Sequence, residues 1–168
     1  MDPRTGLDRY GDYRISYPEL MMELVEWCRT MPVELILEMP DVEERLERYF
    51  EQGELFREMV RKNATVYGNL VVLDLRRQKE IYSGNRFVLY TIYPQCNISM
   101  QIIMGKQNRN TVFTVGHSII NRSSRTDVGR LMLRYGGGGH RKVGACQVDN
   151  DRAEPVRQEL IEAITQDG

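Results

Sequence analysis

Along residues 1–17 charged and polar positions alternate around Gly6 and Gly11 without any apolar period, and the stretch reads as an extended lead-in. From Pro18 the pattern changes. Leu20, Met21, Leu24, Val25 and Cys28 recur at helical spacing through Arg29, with Trp27 on a flank. Ser16 and Tyr17 precede a proline placed where the first helical turn tolerates one, since its missing N–H has no partner there anyway. Val33 to Met39 is apolar and fits either a helix or a loop. Pro40 and Asp41 open a longer helix, with a bend expected at Gly53. Its Val42, Leu46, Tyr49, Phe50, Leu55, Phe56, Met59 and Val60 are expected to form a buried stripe opposite a charged face.

The periodicity then shortens. Thr65 to Leu75, Arg86 to Tyr93, Asn97 to Met104 and Thr111 to His117 are rich in Val, Ile, Tyr and Thr. Ser83-Gly84-Asn85 and Lys106 to Asn110 punctuate them, so four strands are expected. Thr126 to Tyr135 reads as a helix with Val128, Leu131, Met132 and Tyr135 on one side, stopped by Gly136 to Gly139. Ala145 to Val148 reads as a fifth short strand. Asp151 to Thr165 reads as a terminal helix capped by Asp149, Asn150 or Asp151. The expected fold is α/β: a mixed sheet of about five strands with packed helices and an N-terminal helical arm. Residues 1–62 form the lead-in and arm, and residues 63–168 the domain proper.

The 168 residues, 41% apolar and 28% charged, suit one globular domain and exclude a disordered chain. No apolar run approaches the roughly 20 residues of a membrane span. The first ten residues lack an apolar signal-peptide core. Cys28, Cys96 and Cys146 are too scattered for a disulfide framework or a CxxC zinc site, so reduced thiols and a cytoplasmic location are expected.

A net charge of −1 hides an asymmetry. From Ile81 to Val148 nine basic residues face one acidic residue, Asp127, giving 9 − 1 = +8 and leaving −9 for the rest. Five of the nine cluster between Arg122 and Arg141 beside a glycine run. Clustered cations focus positive potential on a cleft and favour a phosphate-bearing ligand.

The same window holds both histidines, His117 and His140, with Asn121, Arg122, Ser123, Arg125 and the run Gly136-Gly137-Gly138-Gly139-His140. One glycine is enough to end a helix; four imply that a backbone or a ligand approaches closely. Their amides, with an adjacent imidazole, suit an oxyanion. Neither GxxxxGK[ST] nor GxGxxG is present. Arg134-x-x-Gly137-x-Gly139 matches the short acyl-CoA pattern of acetyltransferases, but there the loop joins a strand to a helix, and here a helix comes first. With one carboxylate and no HxH, HxxxH or DxD spacing in the window, a metal site is not expected, and the residues suit holding an anion better than cleaving one. Tyr90, Tyr93, Phe113 and Tyr135 are candidates to stack on bases, although their positions favour core packing.

Asn121-Arg122-Ser123, Asp127-Val128 and Gly136-Gly137-Gly138-Gly139-His140 together resemble the type 1 DHH-associated domain, the C-terminal substrate-binding part of DHH-family phosphoesterases. The subgroup is that of exopolyphosphatase-related and oligoribonuclease-like proteins. Gly116-His117-Ser118-Ile119-Ile120 and Gly144-x-Cys146-Gln147-Val148 share the resemblance, as do Asp2 to Leu7 and Asp12 to Ser16. It implies a two-domain, manganese-dependent hydrolase acting on short oligonucleotides, cyclic-dinucleotide products or other phosphodiesters. The Asp-His-His metal motif of the catalytic domain is missing from this sequence. The chain is therefore expected to be the second half of a longer protein, inactive alone, with manganese bound by the other half and a homodimer as a further expectation. By resemblance Arg122 and Ser123 contact phosphate or sugar, with Arg125 beside them and Asn121 and His117 as further candidates. The glycine loop and His140 close on the phosphate. Relatives commonly carry a small-residue pair after the histidine; here Val143 precedes Gly144, and a narrower pocket is expected. A free-standing regulatory module that binds nucleotide or nucleic acid is the alternative reading.

Overall fold

The computed structural model describes residues 12–168. Most of the expected lead-in, including the family-like Asp2 to Leu7, lies outside the described residues. Three helices come first: α1 (Tyr17–Thr30), α2 (Val33–Leu37) and α3 (Pro40–Asn63). Strands β1 (Ala64–Tyr67) and β2 (Leu70–Asp74) follow, then helix α4 (Val88–Ile92) and strands β3 (Ile98–Met104) and β4 (Asn110–His117). Helix α5 (Val128–Leu133), strands β5 (Gly138–His140) and β6 (Val143–Asp149) and helix α6 (Ala153–Asp167) complete the chain.

Ser16 caps α1 through a reciprocal pair with Glu19: the Ser16 N–H donates to Glu19 Oε2 at 2.8 Å, and the Glu19 N–H donates to Ser16 Oγ. Two orphan amides of the first turn are satisfied in this way. The arm is less buried than its apolar spacing suggests. Leu20 is the buried residue of α1, while Val25 and Cys28 are exposed. In α3 the expected stripe holds only at its C-terminal half, where Phe56, Met59 and Val60 meet the sheet; Phe50 is 72% exposed and Leu55 44%. The segment before α1 is strapped to α3. Tyr13 lies against the Arg45 and Arg48 guanidinium groups, 4.0 and 4.4 Å from its ring centre, and Arg48 pairs with Asp12 at 2.7 Å.

The six strands form one mixed sheet in the order β1-β2-β3-β4-β6-β5, with β2 and β3 parallel and every other pair antiparallel. Two expectations change here. Thr65 to Leu75 is not one strand but a hairpin, folded at Gly68-Asn69 so that Tyr67 faces Leu70. Arg86 to Tyr93 is not a strand; its middle is α4. Parallel neighbours cannot be joined by a tight turn, and residues 75–97 must carry the chain back across the sheet, a task usually given to a helix. Tertiary demand overrides the β-branched composition of that stretch.

The sheet's two faces differ. Leu70, Val72, Ile98, Met100, Ile102, Phe113, Val115, Cys146 and Val148 point to one side and pack against α5 and α6, forming the larger core. Burial in that core pushes the Cys146 thiol up to about 11. Val71 and Leu73 point to the other side, beneath α3 and α4 with Phe56, Met59, Val60, Leu89 and Tyr90. That second layer stops there, and among the described residues no helix packs over β4, β6 and β5 on the same face. Helix α6 begins at Ala153, and the expected cap Asn150 instead accepts from Thr111 Oγ1 at 3.0 Å and donates to Asn108 O at 2.8 Å. Among the described residues no helix is long and apolar enough to cross a membrane.

Candidate functional site

The half-covered face of the sheet creates the site. Ser99, Gly116, Val143 and His140 stand side by side across β3, β4, β6 and β5, and directly paired residues share a face. The next row on that face runs Leu73, Gln101, Thr114, Ala145 and Gly138. Of these two rows, Leu73, Ser99, Gln101, Thr114, Gly116 and Val143 form the floor of a groove of about 780 Å³. One wall comes from α3 and the crossover, with Tyr49, Phe56, Ile81, Arg86 and Phe87; Arg122 and Lys142 lie at the other end. None of the described residues lining it is Asp or Glu.

The floor is braced from below. Tyr90, 3% exposed, donates its phenol to Gly116 O at 2.7 Å and shares a 2.7 Å hydrogen bond with Ser99 Oγ. Burial raises the Tyr90 pKa and keeps the phenol protonated, as a donor requires. Tyr90 is thus a fixed part of the floor and not a stacking surface. Phe113 is fully buried, and Tyr135 donates to Glu159 at 2.9 Å, its own pKa pushed up to about 12 by burial and by that carboxylate.

The loop carrying Arg122 is held by a chain of side-chain amides and hydroxyls. Asn69 Nδ2 donates to Asn97 Oδ1 at 2.9 Å, Asn97 Nδ2 to Ser123 Oγ at 3.0 Å, and Ser123 Oγ to Asn121 Oδ1 at 2.7 Å. Ser118 Oγ accepts the amides of Ile120 and Asn121. Asn121 and Ser123 therefore spend hydrogen bonds on shaping the loop. Arg122 is exposed, steadied by one bond from Nε to Ile119 O at 3.1 Å, and its remaining donors stay available to a ligand. His117 lines the groove with Nε2 at 2.9 Å from Thr126 O, an arrangement in which that nitrogen carries the proton.

The glycine run is mostly architecture. A Cβ on Gly137 would lie 2.1 Å from Ala145 O, and one on Gly139 would lie 2.3 Å from Val143 O at a φ of +153°. The close approach expected from four glycines is thus, at two of them, an approach of backbone to backbone. Gly138 has open space where a side chain would be, and it faces the groove side with Ala145. His140 is exposed on the edge strand of the same face, one strand beyond Val143.

The structure therefore brings Arg122 and His117 to the groove, sets His140 and Gly138 on the same face, and leaves Arg125 exposed beyond the lining. Sequence reasoning missed Arg86, Ser99, Gln101, Thr114 and Lys142. A signal existed in the polar members of otherwise apolar strands. Ser99 and Gln101 alternate with Ile98, Met100 and Ile102, which marks a face not committed to the core. Val143 lines the groove opposite Gly116. Among the described residues no three His, Cys, Asp or Glu side chains gather into a group that could hold a metal ion.

No family model and no curated protein sequence matches the chain. Solved structures do. A pGpG-specific phosphodiesterase from Vibrio cholerae, PggH, is 48% identical over 99% of this chain, with a TM-score of 0.81, and this chain spans 57% of its length. An exopolyphosphatase-related protein from Bacteroides fragilis matches 88% of the chain at 15% identity and a TM-score of 0.54, and the chain spans 44% of it. A DHH domain from a protein described as a member of a ribosomal-protein family matches 81% of the chain at 14% identity and a TM-score of 0.55, with 35% of it spanned. The last two share the fold; the first shares the sequence as well. The chain is thus similar over nearly its whole length to part of a phosphodiesterase and has the fold of DHH-domain proteins, which supports the DHH-associated domain that its motifs resemble.

Proposed function

We propose that this chain is the substrate-binding half of a DHH-family phosphoesterase, which takes a dinucleotide or short oligonucleotide into the groove and presents its phosphodiester to a metal centre on a catalytic domain outside these residues. Support comes from a relative described as pGpG-specific and from one observation above all: the groove joins an aromatic, apolar wall to three cations, Arg86, Arg122 and Lys142, with no lining carboxylate to oppose them. A nucleotide has the matching halves.

In this reading Arg122 and Lys142 donate charge-assisted hydrogen bonds to phosphate oxygens, the arginine through its planar fork. Ser123 and Arg125 meet phosphate or sugar at the rim. His140 and the Gly136 to Gly139 segment close over the phosphate from the edge strand, and Gly138 leaves room for it. Asn121 and His117 hold the loop in shape. The work of this chain is binding and orientation; the divalent ion, expected to be manganese, belongs to the catalytic domain.

A fluorescence-polarisation titration of the 168-residue chain with labelled pGpG tests the reading. Saturable binding is expected, weakened about tenfold by Arg122→Ala, the cost of a hydrogen bond to a charged group. His140→Ala is expected to weaken it several-fold. Affinity unchanged in both variants places the site elsewhere.

A further inference from the structure

We propose that the floor of the groove carries a base-reading subsite, in which the Gln101 amide pairs with the edge of a guanine while the phosphate lies toward Arg122 and Lys142. The inference rests on the reading of the groove as a nucleotide site.

Two floor residues have unspent hydrogen-bonding capacity. Gln101 and Thr114 face each other across β3 and β4, both half-buried and both lining the groove. Neither side chain makes a hydrogen bond to another described residue, whereas Ser99 in the adjacent row is engaged with Tyr90. The Gln101 amide is not sealed from solvent, so its donor and acceptor are open to water or to a ligand that replaces it. Around it the surface is flat and apolar: Leu73 stands in the same row, Ala145 and Gly138 extend the row as a platform, and Phe56, Ile81 and Phe87 rise at the wall. A planar ring lying there has its edge presented to the amide.

The position matches one nucleotide. Gln101 lies two residues along its strand from Ser99, about 7 Å away. Arg122 and Lys142 belong to the end beyond Ser99, where Lys142 precedes Val143 and the Arg122 loop follows β4. Phosphate at the cations and base at Gln101 are then held at once. A glutamine side chain sets one acceptor beside one donor, which complements the N1–H and O6 of guanine. The same pair complements the N6 and N1 of adenine and the N3–H and O4 of uracil. Arg86 breaks the tie, because a donor-only cation lining the groove favours guanine, whose O6 and N7 are paired acceptors, over an adenine edge that carries an amino donor and over uracil, which has no N7.

The test is a set of polarisation titrations with fluorescein-labelled pGpG, pApA and an abasic dinucleotide of the same phosphates on the 168-residue chain, as wild type, Gln101→Leu and Arg122→Ala. Leucine keeps the volume and removes both hydrogen-bonding groups. The wild type is expected to prefer pGpG to the abasic dinucleotide by at least roughly tenfold, the worth of one good bidentate contact. Gln101→Leu is expected to lose about tenfold for pGpG and to leave the abasic ligand within about twofold, so that abasic binding also reports an intact fold. Arg122→Ala weakens all three alike. A ratio of pGpG to abasic affinity unchanged in Gln101→Leu, which includes an equal loss for both, overturns the base-reading role while the groove survives as a phosphate site. A wild-type preference for pApA overturns the guanine assignment. Binding of no dinucleotide, or binding indifferent to Arg122→Ala, brings down the nucleotide reading of the groove and this inference with it.

Discussion

Each glycine between α5 and β5 answers to a different constraint, and substitution separates them. At Gly137 and Gly139 a methyl group meets carbonyl oxygens of β6 at 2.1 and 2.3 Å, and Gly139 also holds a φ of +153°. Alanine at either position has to push β5 away from β6, and a loss of about 2 kcal/mol or more is expected from overpacking and backbone strain together. At Gly138 nothing lies within 4 Å and φ is ordinary, so Gly138→Ala is expected to change stability by no more than about 0.5 kcal/mol. Urea denaturation of the three variants measures this directly. Equal losses in all three would mean that the run is purely a packing device. If Gly138→Ala keeps its stability and loses pGpG affinity, the missing side chain is missing for the ligand.

At the scale of elements, β1, β2 and α6 are tied together at the sheet's edge by a small ionic network. Arg76 binds Asp74 at the end of β2 and reaches Glu154 of α6 at 3.1 Å, while Arg157 of α6 meets Glu154 at 2.7 Å and Tyr67 of β1 at 2.9 Å. Burial by itself raises the Asp74 pKa, but the Arg76 bonds outweigh it and hold the carboxyl below its ordinary 3.8; Glu154 is held below 4.5 by the same balance. A carboxylate depressed in the folded state contributes stability that is complete above its unfolded pKa and drains away as pH falls through the folded one. Melting temperature is therefore expected to fall as pH drops below about 4, and Asp74→Asn is expected to flatten that limb. Glu154 is 62% exposed and contributes little, so Glu154→Gln is expected to leave the acid limb nearly intact. An unaltered acid limb in Asp74→Asn would show that other carboxylates govern it.

How far the elements were legible follows from the same local physics. The start of α1 is written in Ser16-Tyr17-Pro18-Glu19, because capping needs only neighbours in sequence. Strands β3 and β4 and their turn were legible from alternation and from Lys106 to Asn110. Helix α4 was not, because Val88, Tyr90 and Ile92 suit a strand equally well and only the parallel pairing of β2 with β3 decides. Strand β5 was hidden because glycine has no strand preference of its own; its pairing with β6 is a tertiary fact. In the candidate site, charge clustering marked the stretch from Arg122 to Arg141, and the family resemblance singled out Arg122, which lines the groove. Gln101 was visible as a polar residue in an apolar strand, but its meaning depends on which half of the sheet the helices leave bare, and no short window of sequence contains that.

Over the whole molecule the two signs of charge are sorted by region. The stretch Ile81 to Val148 carries +8 and supplies Arg86, Arg122 and Lys142 to the groove, while ten of the 23 acids outside that stretch lie on α1 and α3 and no described acid lines the groove. A positive cleft in a chain of almost zero net charge captures an anion through its local field, and such a field acts first on the rate of encounter. The field reaches about 10 Å at 0.1 M salt, so the dependence on ionic strength should be present but moderate. A dinucleotide has few phosphates to neutralise, and the thousand-fold losses typical of proteins on duplex DNA are not expected. Raising salt from about 50 to about 200 mM is expected to weaken pGpG binding several-fold, mainly in the association rate, with the dissociation rate nearly constant. Guanosine, which has the base and no phosphate, is the control, and its weaker binding should be indifferent to salt. Arg122→Ala should flatten the pGpG response, since it removes a cation from the groove. A stopped-flow series over four salt concentrations reads both rates. Equal sensitivity of guanosine and pGpG would assign the effect to the fold's own response to salt, and the cationic end of the groove would lose its claim to the phosphate.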